Sequence, residues 1–177
     1  MPQPFPINPN YQMVIRGLLR MHRLAADGLF ESPEADAIRD AMDAPWQGLS
    51  DVERKRIAGL SEDLNAISEI TSAQPPSMIN PQAQAKLVQA GEARGRGEWD
   101  RALELLRWWG KYAPPSLISY LRGTIWRAAG DAGTAAVFFE HASRLEPENG
   151  NYQAVLLQVL ETADPVEAAT RVERPSA

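Results

Sequence analysis

The sequence predicts an all-α protein: an N-terminal helical segment followed by a short solenoid of stacked helix-turn-helix units. Three observations carry that expectation. No stretch sustains the period-2 alternation of a half-buried strand, and no Asn-Gly or Asp-Gly pair joins two β-branched runs into a hairpin. Apolar residues recur instead at spacings of three and four along much of the chain. The C-terminal half also matches itself at a step of 33 residues, as Ala102, Ala135 and Ala168 illustrate.

The elements follow in order. Residues 1–10 form a proline-rich lead with Pro2, Pro4, Pro6 and Pro9. Residues 11–70 form a helical region of about three helices. The first is expected from about Tyr11 to Leu29, with Val14, Leu18, Met21, Ala25 and Leu29 as its apolar stripe. Arg16, Arg20 and Arg23 mark another face, either solvated and salt-bridged or open to an anionic ligand. Ser32-Pro33-Glu34 combines an N-cap, a first-turn proline and a first-turn acid. It opens a second helix that carries Ala35, Ile38 and Met42 inward and ends near Pro45. That helix's acids, Glu34, Asp36, Asp40 and Asp43, can pair with the arginines of the first.

Ser50-Asp51-Val52-Glu53 is a capping box, in which Ser and Glu each satisfy an orphan amide at a helix start. The third helix is expected to reach Ile70, with a bend near Gly59. A linker, residues 71–80, contains Pro75-Pro76, which no helix interior accepts. Asn80-Pro81 repeats the cap-then-proline opening and launches the repeat region, residues 81–172, which leaves 173–177 as a tail.

The three units are 83–115, 116–148 and a partial 149–172. Gly97 aligns with Gly130, Glu98 with Asp131 and Asp164, Leu106 with Phe139, and Pro114 with Pro147. A glycine allows the sharp turn between two antiparallel helices. The acid after it suits a helix N-terminus. The alanine thins a helix face where its partner crosses, and the large residue four positions on fills the gap. The proline ends the second helix and sets up the next unit. Such units bury their apolar faces only by stacking.

The set Gly123, Trp126, Gly130-Asp131, Ala135, Phe139, Ala142, Leu145 and Pro147 resembles the tetratricopeptide repeat, a helix-turn-helix of about 34 residues. The first unit keeps Gly97, Trp99, Ala102, Leu106 and Pro114, but has Ala90 in the small-residue column and Trp109 where alanine is usual. The third has Ala168 and no glycine turn. Residues 31–64 are also similar to segments of uncharacterised bacterial proteins that carry such repeats, a likeness that implies no activity.

Composition excludes several functions. A net charge of −5 argues against a nucleic-acid partner. The absence of cysteine removes disulfides and thiolate metal sites. The start MPQPFPINPNYQ lacks the basic and apolar regions of a secretory signal. No run approaches the ~18 apolar residues of a membrane span. A cytoplasmic protein with no membrane partner is expected.

No metal motif can be built from His22 and His141, the only histidines, which read as surface or packing residues. GEARGRGEWD is a repeat turn rather than a phosphate loop. No catalytic residue, cofactor or metal is expected, and no enzyme activity.

What remains is binding. The resemblance implies that the first helix of each unit lines a concave groove, with Leu87, Arg94, Tyr120, Thr124, Arg127, Gln153 and Leu157 facing it. Arg94 and Arg127 lie one repeat apart, which suits an acidic peptide or a terminal carboxylate. Alternatively, each caps its own helix end. Adjacent residues point about 100° apart on a helix, so Trp108 is left outside if Trp109 packs inward. Two functions therefore compete: an adaptor for a protein or peptide partner, and a structural or self-associating subunit of a larger assembly.

Overall fold

The computed structural model describes residues 3–6, 8–72 and 80–162, and among them every regular element is helical. Two compact units share the chain, and the smaller, Pro6–Thr71, is inserted between residues 1–5 and the remainder of the larger.

In the smaller unit, Asn8 caps the first helix, α1 (Pro9–Ala26), by accepting from the Asn10 amide. The helix therefore starts ahead of the expected Tyr11. It also stops short of Leu29. Gly28 takes φ +74, and the amides of Gly28 and Leu29 turn back to the carbonyls of Ala25 and Leu24. That paired bonding closes a helix through a left-handed residue. Leu29 is left exposed beyond the helix and Ala25 is exposed on it, while Tyr11, Ile15, Leu19 and Leu24 join Val14 and Met21 inside. The buried face is wider than the predicted stripe and rotated from it.

Helix α2 (Pro33–Gln47) continues past Pro45, because a proline in the last turn removes one bond rather than breaking the helix. Ala35 and Ile38 pack with Met21, Leu24 and the half-buried Met42. Of the expected pairings, Arg20 meets Glu34 at 3.2 Å. Asp36 turns instead to Arg39 of its own helix.

Helix α3 (Asp51–Glu69) runs on through Gly59 and begins with the predicted capping box. Glu53 also accepts from the Asn8 side chain at 2.9 Å. Partial burial works to raise the Glu53 carboxyl, but the bonds from the Ser50 amide and hydroxyl and from Asn8 outweigh it, and the group stays below its usual value of 4.5.

The larger unit opens where Asn80 accepts from the Ala83 amide at 3.0 Å. Residues 73–79, with Pro75-Pro76, lie outside the described residues. Then come α4 (Pro81–Gly95), α5 (Trp99–Trp109), a 3-10 turn at Gly110–Tyr112, α6 (Pro115–Ala128), α7 (Ala132–Leu145) and α8 (Gly150–Thr162). Each helix packs chiefly on its neighbours in sequence. The third unit is described only through Thr162, so Asp164 and Ala168 lie outside the described residues, as do 173–177.

Gly97 and Gly130 take φ +77 and +91. At each, the glycine amide and the one after it return to the preceding helix: Gly97 to Arg94 and Glu98 to Ala93, then Gly130 to Arg127 and Asp131 to Trp126. Asp131 goes on to cap α7 through the Thr134 amide. Glu98, in the matching place, makes no cap bond and pairs with Arg96 and Arg101 instead. Pro114 lies beyond the 3-10 turn at the N-cap of α6, so it sets up the next unit, and α5 has already ended at Trp109.

The repeat columns meet where the turns direct them. Ala102, Ala135, Ala142, Leu106 and Phe139 are essentially inaccessible, with Ala90 facing the first hairpin's interior and Gly123 the second's. A methyl built on Gly123 would lie 2.6–3.0 Å from three atoms of the Phe139 ring. A rigid ring in a packed core cannot move aside for it.

Residues of the N-terminal lead belong to this unit as well. The Phe5 amide donates to the Ala129 carbonyl at 2.9 Å, an acceptor left over at the end of α6. The Trp99 indole donates to the Gln3 carbonyl at 2.9 Å.

Two predictions follow from these contacts. Gly123→Ala should cost about 1–3 kcal/mol by overpacking, whereas Gly91→Ala, in open space on α4, should gain about 0.5–1 kcal/mol from helix propensity. Urea midpoints that move together would refute the close crossing. Second, wild type should exceed Glu53→Gln in stability at neutral pH. A carboxyl lowered by folding stabilises above its unfolded value and loses that advantage as pH falls through its folded one. The gap should therefore close as pH drops below 4.5, and a gap that persists there would remove the charge from the cap.

Candidate functional site

The sequence-selected residues divide into an exposed set and a packed set. Arg94 and Arg127 are exposed in the last turns of α4 and α6. Neither is seen to cap its own helix end. The Arg94 guanidinium donates to the Thr124 hydroxyl on α6 at 3.3 Å. Arg127 donates to the Gln158 side chain on α8 at 3.4 Å and lies 5.9 Å from the Phe139 ring. Each arginine thus reaches from the first helix of its own unit to the first helix of the next.

Thr124 is a correction. It is 8% exposed, and its hydroxyl donates back to the Leu121 carbonyl at 2.7 Å. A threonine bonded to its own helix supports Arg94 and presents little surface of its own. Leu87 is half-buried. Tyr120 is half-buried as well, its ring 5.8 Å from Phe139 and 5.1 Å from Tyr152. Gln153 is exposed, and its amide donates to the Pro147 carbonyl, which ties it to the loop before α8. Leu157 stands 63% exposed. The exposed set is therefore Arg94, Arg127, Gln153 and Leu157, with Tyr120 half-buried.

Trp108 lies outside as expected, at 69% exposure, while Trp109 is half-buried against Tyr112. Nothing described covers the Trp108 ring.

Sequence reasoning missed a polar seam under this surface. Ser116 donates to the Glu146 carboxylate, which also accepts from Asn149 at 3.3 Å. Burial, then the nearby Glu146 charge, pushes the Tyr152 hydroxyl up, against a bond with Ser116 that favours ionisation. A neutral Tyr152 at physiological pH keeps its proton available to this seam. The period of 33 gave no warning, because Glu146 and Tyr152 lie in columns other than the one that Ser116 and Asn149 share.

Ser119 and His141 lie 2.7 Å apart, hydroxyl to Nδ1, a distance that suits a nucleophile and its base. Both are 1% exposed. A nucleophile must meet its substrate, so this pair serves to join α6 to α7. His22 is half-buried near Ser68. Among the described residues no group of three or more His, Asp or Glu side chains is placed to hold a metal ion. No described helix is long and apolar enough to cross a membrane.

No family model matches the chain, and comparison with curated proteins and with solved structures finds no match either.

Proposed function

We propose that the chain is a non-enzymatic interaction module, a tetratricopeptide-like adaptor that takes an acidic segment of a partner protein across α4, α6 and α8. The observation that carries the reading is the pair Arg94 and Arg127, in matching places one unit apart and both exposed. Their present acceptors are neutral, a hydroxyl and an amide, at 3.3 and 3.4 Å. A carboxylate offers a stronger partner than either, because charge-assisted bonds are shorter and about twice as strong. Tyr120 and Leu157 supply apolar contact beside the charges. A cytoplasmic setting belongs to the same proposal.

The exposed Trp108 favours a second reading, a structural or self-associating subunit, since a large uncovered aromatic is a frequent contact anchor. Solution mass separates the two. A monomer at all concentrations fits the adaptor, and a stable oligomer that Trp108→Ala dissolves fits the assembly.

The adaptor makes a sharp prediction. Reversing both Arg94 and Arg127 to Glu should weaken a partner recovered by pull-down at least about tenfold, because each sheltered charged contact contributes about 1.5–3 kcal/mol. Helicity and melting should hardly change, since exposed charges add little to folding. Equal affinities in calorimetric titration would take the arginine face out of the mechanism.

A further inference from the structure

The segment Gln3-Pro4-Phe5 sits on the larger unit in the manner of a bound peptide. Two of its backbone groups are recognised. The Gln3 carbonyl accepts from the Trp99 indole, and the Phe5 amide donates to Ala129, both at 2.9 Å. Two side chains add selectivity. The Phe5 ring meets Trp126 edge-on at 5.6 Å. Pro4 lies beside Gly130, where an added methyl would come within 3.1 Å of the proline Cβ. Gln3 and Pro4 are exposed and Phe5 is only half-buried, so the segment lies at the surface.

The seat beneath it is well built yet imperfectly filled. Trp126 is completely buried, and its indole N–H has no hydrogen-bond partner among the described residues. Buried donors in folded proteins are normally satisfied, so a segment that brings an acceptor to this one gains a contact that Gln3-Pro4-Phe5 forgoes.

We propose that the cradle of Trp99, Trp126, Ala129 and Gly130 is a docking site for an extended, proline–aromatic segment of a partner protein, and that the chain's own Gln3-Pro4-Phe5 occupies it as an intramolecular competitor. Among the described residues the contact spans three residues, a short stretch for a separate peptide. Attachment to the same chain raises its effective concentration to the millimolar order, enough to keep the cradle filled until a better segment arrives. The proposal does not depend on Arg94 or Arg127.

The test uses the full chain and a fluorescein-labelled peptide copying residues 1–8, with a control peptide carrying alanine in place of Phe5. Phe5→Ala, which loosens the resident segment, should bind the peptide by fluorescence polarisation. Wild type should need at least about tenfold more peptide, as expected when a tethered competitor must first leave. The control peptide should bind at least about tenfold more weakly. Adding Trp99→Phe, which removes the donor to the Gln3 carbonyl, should weaken binding about threefold or more. In wild type, millimolar peptide should speed hydrogen exchange at the Phe5 amide.

A folded Phe5→Ala protein that ignores the peptide overturns the proposal, as does equal binding of the control. If Phe5→Ala fails to fold, the exchange experiment decides alone, and an unchanged Phe5 rate at saturating peptide rejects the site. A wild-type dimer that the peptide dissociates would overturn intramolecular seating and assign the cradle to a second copy of the chain.

Discussion

A helix can reverse direction within three residues only if one of them adopts a left-handed backbone, and in the larger unit that demand falls on Gly97 and Gly130. Their φ values of +77 and +91 bring two successive amides back onto the helix just ended, so two of its last carbonyls are satisfied without solvent. The direction in which the next helix leaves is thereby set. Ala102, Ala135 and Leu106 are then buried with Ala90, and Phe139 meets Gly123. The small and large columns follow from the turn. Even the cradle for Gln3-Pro4-Phe5 uses it, since Gly130 lies beside Pro4.

The same turn closes α1 at Gly28, and there the sequence was much less legible. Gly17 faces Met42 across the α1–α2 hairpin, as Gly123 faces Phe139, but farther from the turning glycine and across a longer connection. No constant step joins the two hairpins, so a search by period passes over the first. Met42 also differs in kind from Phe139: a flexible thioether can move where a ring cannot. The helix ends of this unit were misjudged for a related reason. Apolar spacing reports a face, whereas Asn8, Gly28 and the late Pro45 act through hydrogen bonds that spacing does not record. The capping box at Ser50 was legible because its motif encodes those bonds directly.

For the candidate site, the repeat step located Arg94 and Arg127 on matching turns, and the structure places both at the surface. It could not name their acceptors, because Thr124 and Gln158 occupy different columns. A position in a repeat column does not say where its hydroxyl turns, and that of Thr124 donates back to Leu121 while accepting from Arg94. The seam of Ser116, Glu146 and Tyr152 and the buried pair Ser119–His141 were missed because each joins helices through single contacts. The seating of Phe5 was beyond reach for a simpler reason. Proline-rich composition announces extended chain without saying what it lies against.

That seating has a consequence for the order of events during synthesis. The helices of the larger unit pack on their sequence neighbours and so form from nearby contacts, which are fast. Gln3 meets Trp99 across 96 positions, and Phe5 waits longer still for Ala129. At ribosomal rates of about 5–20 residues per second, roughly 5 to 25 seconds separate the emergence of the lead from that of its seat. The whole smaller unit is made in that interval. These early residues are thus among the last to find their place, and each newborn chain passes through a period with Phe5 unseated and open to whatever the cell supplies first.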